Sequence, residues 1–398
     1  MSALNPAWLI GPWLLAWGTI WVLERFSTQA LPSAGRHASI DGLRGHLALA
    51  VFVHHGIIWH GYLRTGKWDA PPSNLFNQLG QGSVALFFMI TAFLFVGKLL
   101  DAQTKPIDWT RLYVSRVLRL TPLYLIAVLA MFAMCGLLTD WTLQTPLPEL
   151  LRALRRWVFF TIGGFADING LKETFTLIAG VTWSLPLEWM FYLLLPGLAL
   201  MLRRKAPAWL AVVAFLAAWG IWAHHKHPWM LAAFLAGGLS AWTSRQPAVM
   251  RLAQTPRASL WVATALLLAL LSAHTIKDWR PMLALTIAFG LISAGNSLFG
   301  TLTARSSRAL GDLAYGVYLL HGLLLYATLT FVIGRSEVAA FTDWQHWAWL
   351  TALTPPLVVL AWLAFRWIEQ PCMNMTDAGT RKLKARFAGI HPTGRRST

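Results

Sequence analysis

The chain has 398 residues, 56% of them hydrophobic and only 12% charged, whereas soluble domains carry about 25% charged residues, so a single water-soluble core is excluded. The net charge of +17 comes from Lys and Arg in short segments between long apolar blocks, which marks topology-setting loops of a membrane protein and excludes a nucleic-acid-binding surface. Cys135 and Cys372, the two cysteines, provide neither a disulfide framework nor a metal site.

The apolar blocks predict an all-α, polytopic transmembrane helical bundle of about eleven spans. They run over 7–24, 43–62, 80–100, 119–138, 176–202, 207–223, 229–243, 258–274, 281–299, 309–333 and 347–368. The 23 Trp residues fit interfacial belts at their ends. The first block is long enough to stay as a span rather than be removed as a signal. Blocks 207–223 and 229–243 are short for a bilayer of about 30 Å, and a re-entrant hairpin around His224, His225, Lys226 and His227 is the alternative. Either way the parity of the topology is the same.

The loop set containing Arg25 and Arg36, Lys105 and Arg111, Arg203, Arg204 and Lys205, Arg245 and Arg251, and the tail after Pro371 carries about twice the Lys and Arg of the other set. That side is expected to be cytoplasmic, in a bacterial inner membrane, with the N-terminus outside and the C-terminus inside. The longest outer loop, about 139–175, has Leu150, Leu151, Leu154, Trp157 and Val158 at helical spacing, interleaved with Arg152, Arg155 and Arg156. It predicts an amphipathic interfacial helix. Three regions are expected: an additional N-terminal span and loop over 1–38, a membrane domain over 39–371, and a flexible, lipid-facing basic tail over 372–398.

Ionisable groups inside spans are costly and therefore candidates for function. The second span opens Ile40-Asp41-Gly42-Leu43-Arg44-Gly45 and carries His54 and His55. Arg44 and His55 are eleven positions apart, within ~20° of three full helical turns and ~16 Å along the axis, so they share a face at different depths. Asp41, one turn earlier, is placed to pair with Arg44. A neutral His55 deep in a span is suited to general-base work; an anchoring Arg44 and a packing His55 are the alternative. Arg116 and Arg119 lie three apart at the start of the fourth span, suited either to an anionic phosphate or to positive-inside anchoring.

The fifth span opens Thr182-Trp183-Ser184-Leu185-Pro186-Leu187-Glu188, followed by Phe191 and Tyr192. Glu188, flanked by Leu187, Trp189 and Met190, is expected near the outer end, placed to orient a histidine or take a hydroxyl proton, or to pair with a loop arginine. In the tenth span Tyr315, Tyr318 and His321 recur every three residues as one polar stripe, lining a cavity or bonding between helices. The last span closes Arg366-Trp367-Ile368-Glu369-Gln370-Pro371, read as an interfacial stop with an ion pair.

Taken in order and spacing, these elements resemble the acyltransferase-3 family of integral-membrane acyltransferases over about residues 39–371. The matching pieces are Asp-Gly-Leu-Arg-Gly at 41–45 with His55 after ten intervening residues, Leu86-Phe87-Phe88, and Arg116-x-x-Arg119 with Pro122. Also matching are Trp183-Ser184-Leu185 with Glu188, Phe191 and Tyr192, then Tyr315, Tyr318, Leu319 and His321, and the closing Ile368-Glu369-Gln370-Pro371. The sequence departs from the family in having Thr91-Ala92 after the Phe-Phe pair where Ser-Gly is usual. It also has Ala314 and Gly316 around Tyr315 where serines are usual, a span before the family core, and no hydrolase-like domain after it.

The resemblance implies an acyl-CoA-dependent O-acyltransferase, with a ten-helix core and acetyl the usual group. The acyl group passes from cytoplasmic acetyl-CoA or another acyl-CoA to a hydroxyl of a glycan or lipid-linked sugar. It makes His55 the general base, supported by Arg44 and Glu188. Arg116 and Arg119 become the contacts for CoA phosphates, and Trp183, Tyr315, Tyr318 and His321 substrate-binding residues. It implies no metal. Membrane lipid, the donor and the acceptor are the expected partners. A proton-coupled transporter or flippase of a glycan or lipid precursor is the rival reading, since intramembrane Arg, His and Glu also serve proton relays; the absence of repeated halves with broken helices speaks against it. A non-catalytic sensor or scaffold is a further rival.

Overall fold

A computed structural model describes residues 2–26, 37–102, 106–202 and 205–390. Of the basic residues used above to orient the chain, Arg36, Lys105, Arg203, Arg204, Arg395 and Arg396 lie outside the described residues. The described chain is mostly helical and holds no strand beyond one isolated bridge between Ile168 and Leu171. Six of its helical segments are long and apolar enough to cross a membrane: Pro6–Arg25, Asn74–Asp101, Trp109–Leu138, Val181–Met201, Ala314–Ile333 and Asp343–Arg386. Shorter apolar helices accompany them, and the protein is an all-α polytopic bundle.

The helices are α1 (Ile10–Phe26), α2 (Ala38–Thr65), α3 (Asn74–Asp101), α4 (Trp109–Leu138), α5 (Leu147–Val158), α6 (Leu185–Met201), α7 (Ala208–His224), α8 (Pro228–Thr243), α9 (Pro247–Ala253), α10 (Pro256–Leu271) and α11 (Trp279–Ser293). Then follow α12 (Arg305–Asp312), α13 (Ala314–Ala327), α14 (Arg335–Ala339), α15 (Asp343–Ala352), α16 (Thr354–Ala364), α17 (Gln370–Asn374) and α18 (Thr376–Ile390). Their starts follow local chemistry. Ser73, Asp108, Thr255 and Asp278 each accept a hydrogen bond from a first-turn amide, and Thr342 with Gln345 closes a capping box. Gly66, at φ 67°, ends α2 in the left-handed conformation.

Burial is inverted at the periphery, as a lipid solvent requires. On α7, Trp209, Val212, Phe215, Leu216 and Trp219 are exposed, and on α10 so are Leu260, Trp261, Leu267 and Leu268. The centre is α2 with α3, buried on nearly every face. α2 gets there by backbone contact with α12 and with the 3₁₀ turn Thr301–Thr303 before it. A Cβ on Gly42 would stand 1.9 Å from the Leu302 carbonyl oxygen, and one on Gly311 would stand 1.8 Å from that of Asp41. A Cβ on Gly45 would stand 2.7 Å from backbone atoms of Leu310 and Gly311. The glycines flanking Leu43-Arg44 are thus what lets Arg44 reach the bundle interior.

Each expected apolar block contains a helix, but three are irregular. The fifth is helical only from Leu185, because Thr174–Ile178 and Val181–Ser184 are short 3₁₀ turns. The tenth is interrupted at Leu313 and ends as a π-helix over Thr328–Ile333. The last is interrupted before Pro355-Pro356 and ends as a π-helix over Phe365–Glu369. The pair α7 and α8 does not fold back on itself: α7 packs along α6, and α8 along α3 and α11. The loop helix α5 forms as expected, with Ala153 and Trp157 buried and its arginines exposed.

One expectation is corrected. Residues 372–390 are not a flexible tail but α17 and α18, the latter packed on α4. Asp377 pairs with Arg111 at 2.7 Å and Lys384 with Asp108 at 2.6 Å. The basic composition hid one acid, Asp377, and one lysine, Lys384, that meet Arg111 on α4 and Asp108 at its N-cap.

Candidate active site

α2 carries Arg44 near its start and His55 three turns further on, and α13 carries Tyr315, Tyr318 and His321 along one face beside it. Further along this pair, past Tyr318, the two histidines meet: His321 Nε2 lies 3.0 Å from His55 Nδ1. His321 Nδ1 is 3.0 Å from the Val317 carbonyl, and His55 Nδ1 is also 3.0 Å from the Val51 carbonyl. A carbonyl only accepts, so His321 Nδ1 carries the hydrogen and its Nε2 is an acceptor. His55 Nδ1–H therefore donates, and the lone pair of His55 lies on Nε2, the nitrogen with no protein partner among the described residues. This tautomer follows from the hydrogen-bond network.

Around His55 stands an aromatic shell. Trp68, from the segment joining α2 to α3, stacks on its ring at 6.4 Å. Trp59, Tyr62 and Phe175 pack edge-on against Trp68 at 5.2, 5.4 and 6.1 Å. Tyr62 donates to Glu173 at 2.8 Å, tying the 3₁₀ segment to the end of α2. That segment lies directly on α13, where a Cβ on Gly322 would sit 2.3 Å from the Ile178 carbonyl carbon. His54 points away: its Nδ1 meets the Phe76 carbonyl at 2.7 Å and its ring covers Gly80.

Tyr318, one turn before His321, bounds a cavity of about 270 Å³. Six of the nine expected site residues line it: Arg44, Arg116, Arg119, Glu188, Tyr315 and Tyr318. Tyr318 donates to the Val181 carbonyl at 3.0 Å and shares a 2.8 Å hydrogen bond with Ser184 Oγ. Tyr315 donates to the Leu120 carbonyl at 2.8 Å. Glu188 accepts from the Tyr192 hydroxyl. Because α6 begins only at Leu185, Glu188 sits in its first turn, inside the same cavity as the arginines. The expectation of Glu188 near the opposite face is corrected on that ground.

The cavity is cationic. Among the described residues no carboxylate is in ion-pair contact with Arg116 or Arg119, and Arg44 has only Asp41, at 3.9 Å. The Arg116 guanidinium lies over the rings of Phe95 and Tyr192 at 5.2 and 5.9 Å, and Arg119 donates to Met373 Sδ at 3.4 Å. Glu369, also within electrostatic reach of Arg119 and Arg44, is 1% exposed, and neither carboxyl oxygen has a hydrogen-bond partner among the described residues. It turns inward rather than forming an interfacial ion pair, while Arg366 lies over the Trp362 ring at 5.8 Å. Phe95, Lys98, Arg116 and Arg119 also line a second cavity of about 730 Å³, between α3, α4 and the α17–α18 segment. On its rim, burial pushes the Asp108 carboxyl up, but hydrogen bonds from Lys384 and the Arg111 amide hold it below the ordinary value.

Trp183 does not join either centre. It packs against Phe88, His227 and Trp229 at 6.4, 5.2 and 6.0 Å. Conversely, Trp68, Phe175, Ser184, Tyr192 and Lys98 stand at the site without having been singled out. Ser184 and Tyr192 lay inside the motif around Glu188; Trp68 lies in an aperiodic connecting segment and carries no sequence signal. Among the described residues no group of three or more His, Cys, Asp or Glu is arranged to hold a metal ion.

An acyltransferase domain model matches residues 37–366. The chain belongs to the acyltransferase-3 family. It is similar to Nodulation protein 10 of Rhizobium leguminosarum bv. viciae, with 30% identity over 386 residues, covering 88% of this chain and 97% of that protein. No solved structure matches it. The family member described here is therefore an integral-membrane acyltransferase.

Proposed function

We propose that this acyltransferase moves an acyl group, acetyl in the simplest case, from acyl-CoA to a hydroxyl of a glycan or lipid-linked sugar. The observation that carries the reading is the histidine pair: an imidazole whose tautomer is fixed by His321 and whose free Nε2 lone pair is placed to take a hydroxyl proton. His55 is the general base, and His321 orients it rather than binding substrate. The hydroxyl oxygen attacks the thioester carbonyl, the proton passes to His55 Nε2, and the CoA thiolate leaves and takes up a proton.

The cationic cavity supports the donor part. Arg116 and Arg119, without carboxylate partners, suit phosphates, and Arg44 faces the same space. The positive-inside pattern puts this end in the cytoplasm, where acyl-CoA is made. The aromatic shell around His55 supports a sugar acceptor, since Trp and Tyr faces stack on the apolar faces of sugar rings while hydroxyls reach the base. Glu188, close to the arginines and bonded to Tyr192, serves in orienting the acyl end. The expected location is the bacterial inner membrane, with residues 37–366 as the catalytic domain.

The test is release of free CoA thiol by the purified protein from acetyl-CoA, dependent on an added membrane glycan or lipid fraction. Acceptor-dependent release that disappears in His55→Ala supports the reading. Acceptor-independent uptake of a glycan precursor into proteoliposomes, with no thiol released, would establish a transporter instead.

A further inference from the structure

The 730 Å³ cavity has one wall built from Met373, Asn374, Thr376 and Asp377, residues that follow the matched domain. Its opposite wall carries Lys98 on the last turn of α3 and Arg111 on the first turn of α4. Lys98 lies within electrostatic reach of both Arg116 and Arg111. Among the described residues Lys98 has no carboxylate in ion-pair contact; its ammonium lies over the Phe95 ring at 4.8 Å. Three carboxylates also line the wall, but Asp101 pairs with Arg245, Asp108 with Lys384 and Asp377 with Arg111. Lys98, Arg116 and Arg119 therefore have no ion-pair partner among the described residues, and such like charges around a void are what an anionic ligand stabilises.

Arg111 is the exception, because Asp377 Oδ1 sits on its Nε at 2.7 Å. Both side chains are more than half exposed, so this pair is worth at most about fivefold in an equilibrium. A phosphate carries more charge than a carboxylate and offers the guanidinium two acceptors, so it competes well for the same place. The rest of α18 is held independently. Lys384 binds Asp108 at 2.6 Å, Thr380 is buried, and a Cβ on Gly379 would lie 3.3 Å from Val114. Loss of the Asp377 contact therefore leaves the helix docked.

We propose that this cavity takes the polyphosphate end of the donor, with Lys98 and Arg111 as phosphate contacts beyond Arg116 and Arg119, and that Asp377 occupies the phosphate position on Arg111 until the donor displaces it. The inference rests on the reading of the protein as CoA-dependent. The helix after the last span is then part of the donor site: its acid lowers affinity for weakly charged anions and yields to a polyphosphate. Met373, holding Arg119 through sulfur, leaves that guanidinium's remaining donors free for the ligand.

The experiment is calorimetric titration of CoA into the full-length protein in detergent, for wild type, Asp377→Asn, Arg111→Gln and the double variant. Lys384→Gln is the control, because it breaks the other α18 ion pair and bares the Asp108 carboxylate on the cavity rim instead of removing a carboxylate. Asp377→Asn should tighten CoA binding roughly two- to fivefold, and Arg111→Gln should weaken it about tenfold. In the Arg111→Gln background the 377 substitution should do nothing, and Lys384→Gln should not tighten binding. Unchanged or weaker binding in Asp377→Asn overturns the proposal, as does an equal gain in Lys384→Gln or in the double variant. If wild type binds CoA, loses it on Arg116→Gln, and shows no coupling between 377 and 111, this proposal falls while the donor reading stands. If wild type binds no CoA, the donor reading falls, and this proposal with it.

Discussion

At the scale of single residues, the adjacent histidines of α2 show how position on a helix separates chemistry from packing. His55 leans on His321 and His54 leans on a backbone carbonyl and a glycine. His55→Ala should therefore lower turnover by about 10²–10⁴-fold with the melting temperature nearly unchanged. His321→Ala should lower kcat, leave KM for the donor alone, and shift the pH profile of kcat, which a purely structural residue would not move. His54→Ala should do the reverse, lowering the melting temperature while turnover per folded molecule stays within a few-fold. Turnover and folded fraction, read on one preparation, check all three. Glu188→Gln keeps shape and removes charge; about a tenfold loss of turnover without loss of stability is expected. A destabilised variant with normal turnover per folded molecule would make Glu188 a structural partner of Tyr192.

The site was legible in the sequence where helical periodicity applied. The eleven-residue step from Arg44 to His55 and the three-residue stripe on α13 both put residues on shared faces, and the structure joins them. Periodicity does not say which members of two stripes touch, so the contact of His321 with His55 was not visible. Nor was Trp68, which comes from a segment with no period. Trp183 was drawn in by its neighbours in the motif, yet a 3₁₀ turn aims Ser184 and Trp183 to different sides.

At the scale of elements, backbone contacts between helices do the positioning. Gly45 and Gly311 let α2 cross α12 at backbone distance, and Gly42 does the same against the 3₁₀ turn Thr301–Thr303. Gly45→Val should abolish folding or lower the melting temperature strongly, since its Cβ would stand 2.7 Å from backbone atoms of Leu310 and Gly311. Gly61→Ala, on the same helix with nothing within 4 Å, should be neutral or slightly stabilising. Thermal unfolding in detergent compares the two; equal effects would mean that the α2–α12 crossing is not close-packed. Helix presence was readable from the apolar blocks, but the late start of α6 and the order of the tail were not. Both depend on partners distant in sequence: α13 for the 3₁₀ turns and α4 for α18.

At the scale of the whole molecule, two centres lie in series along α2 and α13. The cavities holding Arg116 and Arg119 open at the arginine-rich end, and the His55–His321 pair lies beyond Tyr318 under the aromatic shell. Composition could announce a membrane bundle but not this alignment, which arises only once α2, α6 and α13 pack. Exchange of both Arg116 and Arg119 for Ala should raise the KM for acyl-CoA at least about tenfold while acceptor KM changes little, two charge-assisted bonds being lost. An unchanged KM would make them anchors.

The central proposal, that acyl-CoA reaches His55 from the cytoplasmic face, is tested most directly in sealed membrane vesicles from cells expressing the protein. Such vesicles carry their own acceptors. Acetyl-CoA labelled in the acetyl group is added outside inverted and right-side-out preparations, and label entering the glycan and lipid fractions is counted. The account predicts incorporation in inverted vesicles, almost none in sealed right-side-out vesicles, and none in either with His55→Ala. Equal or greater incorporation in right-side-out vesicles, or incorporation that survives His55→Ala, would contradict it.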